Sequence, residues 1–438
     1  MNARHALILL AIPIVLGLAS NTAEPSEPAR DRVFYVRQTI GDDSNDGLSP
    51  QTAWRSLSKL EEVMQAGDTA YVGPGLYREM LTVANSGTAE AWITFIGDTT
   101  GQHTGDPPGT VMITGADPMD ETVFVAQSAA GFYKASKLEG HFLRPVEMDG
   151  PQYRYKNALE TAKHLREGLP ELEVVARLAS TYHYDRDSGT LYIHTSDDRP
   201  PTSHEIELIR RNYGIVTYGN HYVSVNGFTF RHMGTAGINF GKGSSNCLAL
   251  DNTSYGSWQG IQISNSSHVR VEGSTLFRNG NSGIYFLSGS THGHAVGNVA
   301  YENAKGVRWS SDSTNGVALD NVTFDNHEVG IAIEYTNEIR VSNNIMVNNR
   351  ISQFLVKNSG YTSQANCYES GGAEQLIAKV DYNESYTTLA EFQQATNQDL
   401  DAREMCAPLP QKIDVHQLHA ETTAYAERAR KILAARGE

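Results

Sequence analysis

Six glycines, Gly214, Gly237, Gly260, Gly283, Gly306 and Gly330, recur at intervals of 23, 23, 23, 23 and 24 residues, each opening a short G-[IV]-x-x run. A period in this range, filled with β-branched and aromatic residues instead of helix formers, calls for a stack of coils in which no unit buries its apolar side alone. The units read GIVTYGNHYVSVNGFTF, GINFGKGSSNCLALDNTSY, GIQISNSSHVRVEGSTLF, GIYFLSGSTHGHAVGNVAY, GVRWSSDSTNGVALDNVTF and GIAIEYTNEIRVSNNIM. Each coil therefore offers three short strands separated by turns.

Aligned in this way, Ile215, Ile238, Ile261, Ile284, Val307 and Ile331 begin the first strand facing inward. Val225, Leu250, Val271, Val296, Leu319 and Val341 form the expected inner column of the second strand, and Phe230, Tyr255, Phe277, Tyr301, Phe324 and Met346 that of the third. Two asparagine columns fall at the turns: Asn252, Asn298, Asn321 and Asn343, then Asn279, Asn303, Asn326 and Asn348. Asn tolerates left-handed backbone, and stacked amides hydrogen-bond from coil to coil, so their expected role is structural.

Residues 1–23 combine a basic start, MNARH, with the apolar run ALILLAIPIVLGLA and small residues near Ala19 to Ala23. That pattern predicts a cleavable signal peptide, too short to span a bilayer and with no second apolar segment behind it. The expected protein is secreted or periplasmic, with no membrane span. An odd count of cysteines, Cys247, Cys367 and Cys406, rules out a fully paired framework, leaving open a Cys367–Cys406 bridge or buried free thiols. A net charge of -15 argues against nucleic acid as a partner. It suits neutral glycans, or anionic glycans reached through bound cations.

Four regions follow. Residues 33–115 carry a strand, an acidic turn, an amphipathic helix expected near residues 54–65 that covers the open end of the solenoid, and the first coils. Asp42, Ser44, Asp46 and Gly47 resemble the start of a calcium loop but lack the later glutamate, so a solvated turn is expected. Residues 116–205 break the rhythm and predict an inserted β-rich subdomain, with a helix near residues 157–167 and a hairpin turning at Asp187, Ser188 and Gly189. Residues 206–370 are the regular coils, and residues 371–438 predict a C-terminal cap and helical tail.

With FYVRQTIGDDSNDGLSPQTAW, AGDTAYVGPGLYRE, YDRDSGTLYIH, the repeats and YTTLAEFQQATNQD on the page, the chain resembles the secreted right-handed parallel β-helix superfamily, the pectin-lyase-like fold. The hairpin followed by IELIRRNYGIVTYGNHYVSVNGFTF looks most like β-helix glycoside hydrolases of the β-xylosidase type. That resemblance implies two carboxylates on successive coils. Glu334 in GIAIEY matches one; the other would fall near Ser310 or Ser311, where this chain has serine with Asp312 beside them.

On the first strand the outward positions are Asn239, Gln262, Tyr285, Arg308 and Ala332, then Ser264, Ser310, Glu334 and Lys357 two residues later. The preceding turn adds Trp258, Gln259, Lys305, His327 and Glu328. Polar groups interleaved with aromatic rings suit sugar binding, and Arg308, Tyr285, Trp309, Trp258, Gln262 and His327 are the candidate substrate contacts. Asp312 and Glu334 are the candidate carboxyl pair of a hydrolase that needs no cofactor, and extended geometry places them about 8 Å apart, which suits inversion.

The alternative is a polysaccharide lyase acting by β-elimination on uronates, with Lys305 as base and calcium at Glu302 and Asp325, a stacked pair that a surface salt-bridge ladder with Arg278 explains equally well. A third reading is a non-catalytic glycan-binding solenoid. His232, His292 and His294 lack metal-ligand spacing and are expected as surface residues. A glycan substrate and a monomeric state are expected.

Overall fold

The computed structural model describes residues 31–414, apart from 139, 141, 149–155, 158–168, 373, 382 and 407, together with residue 417. The expected signal peptide, residues 158–167 of the expected helix and the tail helix at 423–436 lie outside the described residues, and Asn157 ends the short strand Lys156–Asn157. Among those described, no helix is long and apolar enough to cross a membrane.

The chain winds into a parallel β-helix whose coils contribute one strand to each of three sheets, two of ten strands and one of nine. In one coil Tyr213–Tyr218, Val223–Asn226 and Thr229–Arg231 are the first, second and third strands, and the next coil repeats them as Ala236–Gly241, Ser245–Leu250 and Thr253–Tyr255. The repeated glycines are required by closeness: a Cβ on Gly260, Gly283 or Gly306 would sit 2.5, 2.7 or 2.5 Å from the carbonyl oxygen of the next coil's glycine.

The first inner column is as expected, with Ile215, Ile238, Ile261, Ile284, Val307 and Ile331 in register and buried. The second differs by one residue. Its inner positions run Val225, Ala249, Val271, Ala295, Ala318 and Val341, while Leu250, Val296 and Leu319 pair with Asn226, Glu272 and Ser342 on the outside. Alanine fits the narrow interior, and the larger residues pack over the outer face. The third column also divides: Phe230, Ser254, Leu276, Ala300, Thr323, Met346 and Tyr368 face inward. Tyr255, Phe277, Tyr301 and Phe324 stack outside at centroid spacings of 5.0, 5.0 and 5.1 Å.

That outer aromatic stack is nonetheless buried, in a cluster to which Cys406 and Ile413 of the C-terminal segment pack. Cys367 and Cys406 form a disulfide that ties this segment to the solenoid, and Cys247 is the buried free thiol, which burial pushes up to about 12.

The asparagine ladders carry the turns, with two shifts from expectation. The first runs through Asn298, Asn321, Asn344 and Asn366, and the second through Asn279, Asn303, Asn326 and Asn349, each amide oxygen accepting a backbone N–H of the previous coil at 2.8–3.1 Å. Asn343 and Asn348 instead occupy left-handed positions and donate to the exposed carboxylate of Asp320 and the half-buried one of Asp325.

At one end Ser58–Val63 forms a helix that buries Leu60 and packs beside Leu81–Thr82, the terminal strand of the first sheet; Glu61 accepts the backbone N–H of Thr82 there. The acidic turn is closed by its own bonds, Asp42 accepting from Ser44 and Asp46 from Leu48 and Thr52. At the other end Leu389–Thr396 is a helix with a Thr388/Glu391 capping box.

The insertion builds two small sheets. Thr181–Asp185 and Thr190–His194 form the expected antiparallel hairpin within a five-stranded sheet. Ile206–Ile209 lies between Ala116–Pro118 and Arg144–Glu147 in a three-stranded one. The joint to the solenoid is ionic: fully buried Glu207 sits 3.3 Å from Arg231 and 2.8 Å from Arg78. Burial alone would push the Glu207 carboxyl up, but Arg231, a hydrogen bond from His232 and Arg78 outweigh it and hold it far below the usual carboxylate range.

Two expected outcomes follow from these contacts. Asn321→Ala leaves buried donors of Asn298 without an acceptor and should cost about 2 kcal/mol in urea unfolding, whereas Asn343→Gly, beside the ladder residue Asn344 and in left-handed backbone that glycine accepts, should stay within about 0.5 kcal/mol. Equal effects would contradict the ladder register. Glu207 has a depressed folded pKa, so its stabilisation is complete above the ordinary glutamate value and fades as pH falls below about 4.5. Glu207→Gln should lower stability at pH 7 and flatten the acid side of a midpoint-versus-pH curve.

Candidate functional site

Strand alternation and register bring one polar cluster together on the outer face of the first sheet. Asn239, Gln262, Tyr285, Arg308 and Ala332 lie in one column, one residue per coil. Glu334 stands opposite Ser310 in the neighbouring column.

Arg308 links the members. Its guanidinium carbon lies 4.6 Å above the Tyr285 ring, its Nη1 donates to Asn281 at 3.4 Å, and its Nε is 2.5 Å from Glu334 Oε2. This last contact is an ion pair that spans two coils and holds the Glu334 carboxylate against the guanidinium. The Tyr285 hydroxyl and Ser310 Oγ are 2.7 Å apart, and Ser310 Oγ lies 3.2 Å from Ser311 Oγ. Glu334 itself is only 9% exposed. A carboxylate in this setting is fixed in position by its neighbours, while the adjoining hydroxyls offer donors and acceptors to a polyol.

Asp312 is exposed in the turn that follows the first strand. Ser311 and Asp312 both take left-handed backbone, φ 55° and 64°, and the Asp312 N–H donates to the Tyr335 carbonyl at 2.9 Å. The chain therefore bends instead of running two extended residues past Ser310, so the 8 Å expectation based on extended strands does not apply. Asp312 is set across from the residue next to Glu334.

Gln262 is half-buried in the column, with its amide oxygen lacking a hydrogen-bond partner, as do those of Asn239 and Gln259. Trp258 is 41% exposed on the turn beside Gln259, and His327 is exposed on the equivalent turn beside Glu328. Trp309 is a correction to the expected sugar contacts. It pairs in register with Phe286 and Ile333, stacks on Phe286 at 4.8 Å inside the solenoid and is 1% exposed. Alternation between Arg308 and Ser310, both outward, requires this.

The lyase groups are not brought together. Lys305 Nζ lies 2.5 Å from Glu328 on the first-sheet side. Glu302 and Asp325 flank the third sheet, where Lys412 bridges them at 2.9 and 2.7 Å and Arg278 holds Glu302 at 2.6 Å. Burial pushes the Glu302 carboxyl up, but Lys412 and Arg278 outweigh it and lower it overall. The expected calcium position is thus a salt-bridge ladder closed by an ammonium from the C-terminal segment. Among the described residues no group of three His, Cys, Asp or Glu side chains is gathered as a metal site. Nothing in the repeat pointed to Lys412, because it comes from outside the repeats.

Lys412→Met should lower stability by about 1 kcal/mol or less, as expected for a partly exposed network. Added calcium should leave the melting temperature of the unmodified protein unchanged. A calcium-dependent rise would restore the cation reading.

A family model described as right handed beta helix region matches residues 213–368. The protein alpha-1,3-galactosidase A of Akkermansia muciniphila is 31% identical over 72 residues, covering 16% of this chain and 12% of that protein. A solved structure described as the complex of XylC with xylose has 14% identity, covers 77% of this chain and 69% of that chain, and has a TM-score of 0.52. A rhamnogalacturonan lyase structure has 12% identity, covers 86% of this chain and 89% of that chain, and has a TM-score of 0.42. The fold is a right-handed parallel β-helix, a shape shared with the XylC structure.

Proposed function

We propose that this protein is an exported carbohydrate-active enzyme that hydrolyses glycosidic bonds, with Glu334 and Asp312 as its carboxyl pair. The observation that carries the reading is the Glu334 carboxylate, recessed on the outer face of the first sheet and held by Arg308 beside Tyr285 and Ser310. Hydrolysis requires two carboxyl groups flanking the bond, one giving a proton to the leaving oxygen and one acting on the opposite side. Asp312 supplies the second from the adjacent coil, more exposed and on the turn, where a water-accessible group can exchange protons.

The likeness to a xylose-bound β-helix and the short match to a galactosidase support a glycan substrate. The Cys367–Cys406 bridge supports an oxidising compartment outside the cytoplasm. Elimination is the weaker reading, because Lys305 is engaged by Glu328 and the proposed cation carboxylates are engaged by Lys412 on another face.

The test is to incubate the purified protein with neutral and uronate-containing polysaccharides, following reducing ends and ultraviolet absorbance together. Hydrolysis predicts reducing ends without absorbance, a fall of about 1000-fold or more in Glu334→Gln, and a large loss in Asp312→Asn. Activity retained in Glu334→Gln would remove the assignment. Absorbing products would replace hydrolysis by elimination, and retention of a glycan without any product would make the chain a binding module.

A further inference from the structure

The outer face of the second sheet carries a groove of about 700 Å³, bordered by His292, His294, Asn315, Asn337, Arg340 and Tyr361 among others. Parallel register places Arg270, His294, Val317, Arg340 and Thr362 in one outward column. His268, in the strand Ser267–Glu272, and His292, just before the strand His294–Val296, sit on successive coils with φ 53° each, and their rings stack with centroids 4.5 Å apart and 3° between planes. Both imidazoles are exposed.

His294 lies at the centre of this group. Its pKa is lowered first by burial and then by Arg270, Arg340, His292 and His268, so four basic side chains lie within electrostatic reach of His294. Among the described residues the acidic groups near this face are Glu272, paired with Arg270 at 2.6 Å, Glu338 on the groove rim, and Asp251 and Asp320 at the turns that end strands of the sheet. Arg340 is exposed and makes no ion pair among the described residues. In a chain of net charge -15, a local concentration of basic groups around an open groove is a feature that solubility alone does not call for.

We propose that this groove is a second saccharide-binding site, taking a sugar that carries a carboxylate or sulfate group, separate from the first-sheet cluster around Glu334. The Arg340 guanidinium is suited to the anionic group, which it can meet with two parallel N–H donors. The His292 and His294 imidazoles and Val317 offer a partly apolar lining for a sugar ring, and the Asn315 and Asn337 amides can pair with hydroxyls. The volume falls in the range of small-ligand sites. Because this groove lies on a different sheet from Glu334, a sugar bound here tethers an anionic polymer to the protein without occupying the Glu334 cluster.

An anion in the groove favours protonated imidazole. His294, held below its ordinary value when the groove is empty, then gains a favourable partner and takes up a proton, so affinity rises as pH falls through the histidine range.

The experiment is calorimetric titration of the full chain carrying Glu334→Gln with a galacturonate tetramer, a sulfated tetrasaccharide and neutral xylotetraose, at pH 6 and pH 8. At least one anionic probe should bind at least fivefold tighter at pH 6, and Arg340→Gln should weaken it at least tenfold. His292→Asn, which suits the left-handed backbone there, should weaken it too and keeps the comparison available if Arg340→Gln does not fold. Xylotetraose should not compete. Unchanged affinity in both variants, loss of binding in Arg308→Gln alone, or no binding of either anionic probe at millimolar concentration would overturn the proposal. The carboxylated and sulfated arms separate the two anion chemistries. Reducing ends formed by the Glu334→Gln protein would count against the hydrolase reading and not against this one, which is read from Arg340 and His292.

Discussion

Parallel pairing in strict register between successive coils is the constraint from which the rest of this structure follows. Each strand meets its counterpart one coil later, so like residues stand above like and the backbone groups of every coil are bonded to its neighbours. The asparagine ladders extend that pairing through the turns, where no strand is available. They also have ends: Asp399 accepts from the Asn366 amide, and Gln353 accepts from Asn349. A ladder left open would present an unpaired buried amide, so these terminal residues matter as much as the repeated ones.

The same register produces three outer faces with different chemistry. On the first sheet it aligns Tyr285, Arg308 and Glu334 into a joined polar cluster, and on the second it aligns arginine and histidine. On the third it stacks Tyr255, Phe277, Tyr301 and Phe324, which water would disfavour. There Lys412 lies over Tyr301 and Phe324, the Ile413 N–H donates to the Tyr301 hydroxyl, and the disulfide anchors the segment nearby. That face is thereby closed by the C-terminal segment.

Much of the architecture was legible in the spacing of glycines and the first-strand column, because six coils repeat the same requirement. The second and third columns were less legible. Those strands are as short as three residues, and apolar residues occur at both parities: Ala295 points inward, while Val296 beside it packs outward. Hydrophobicity alone does not separate the two sides, since alanine and valine stand inward while leucine and valine pack outside. Trp309 was misplaced for a related reason. An aromatic residue near candidate sugar contacts suggests binding, yet alternation along Lys305–Ser310 sends it into the core.

By itself, the sequence determined that the chain stacks coils of three strands, that Asn columns mark the turns, and that Glu334 and Arg308 face outward, because each of these depends on spacing within a repeat. Only the tertiary structure decided which side chains meet. The Arg308 contact to Glu334 crosses between coils on a diagonal, Lys412 reaches Glu302 across 110 residues, and Glu207 joins the insertion to Arg231. The physical reason is that such contacts depend on how coils are offset and where the non-repeating segments return. Those are properties of the closed chain and are absent from any single repeat.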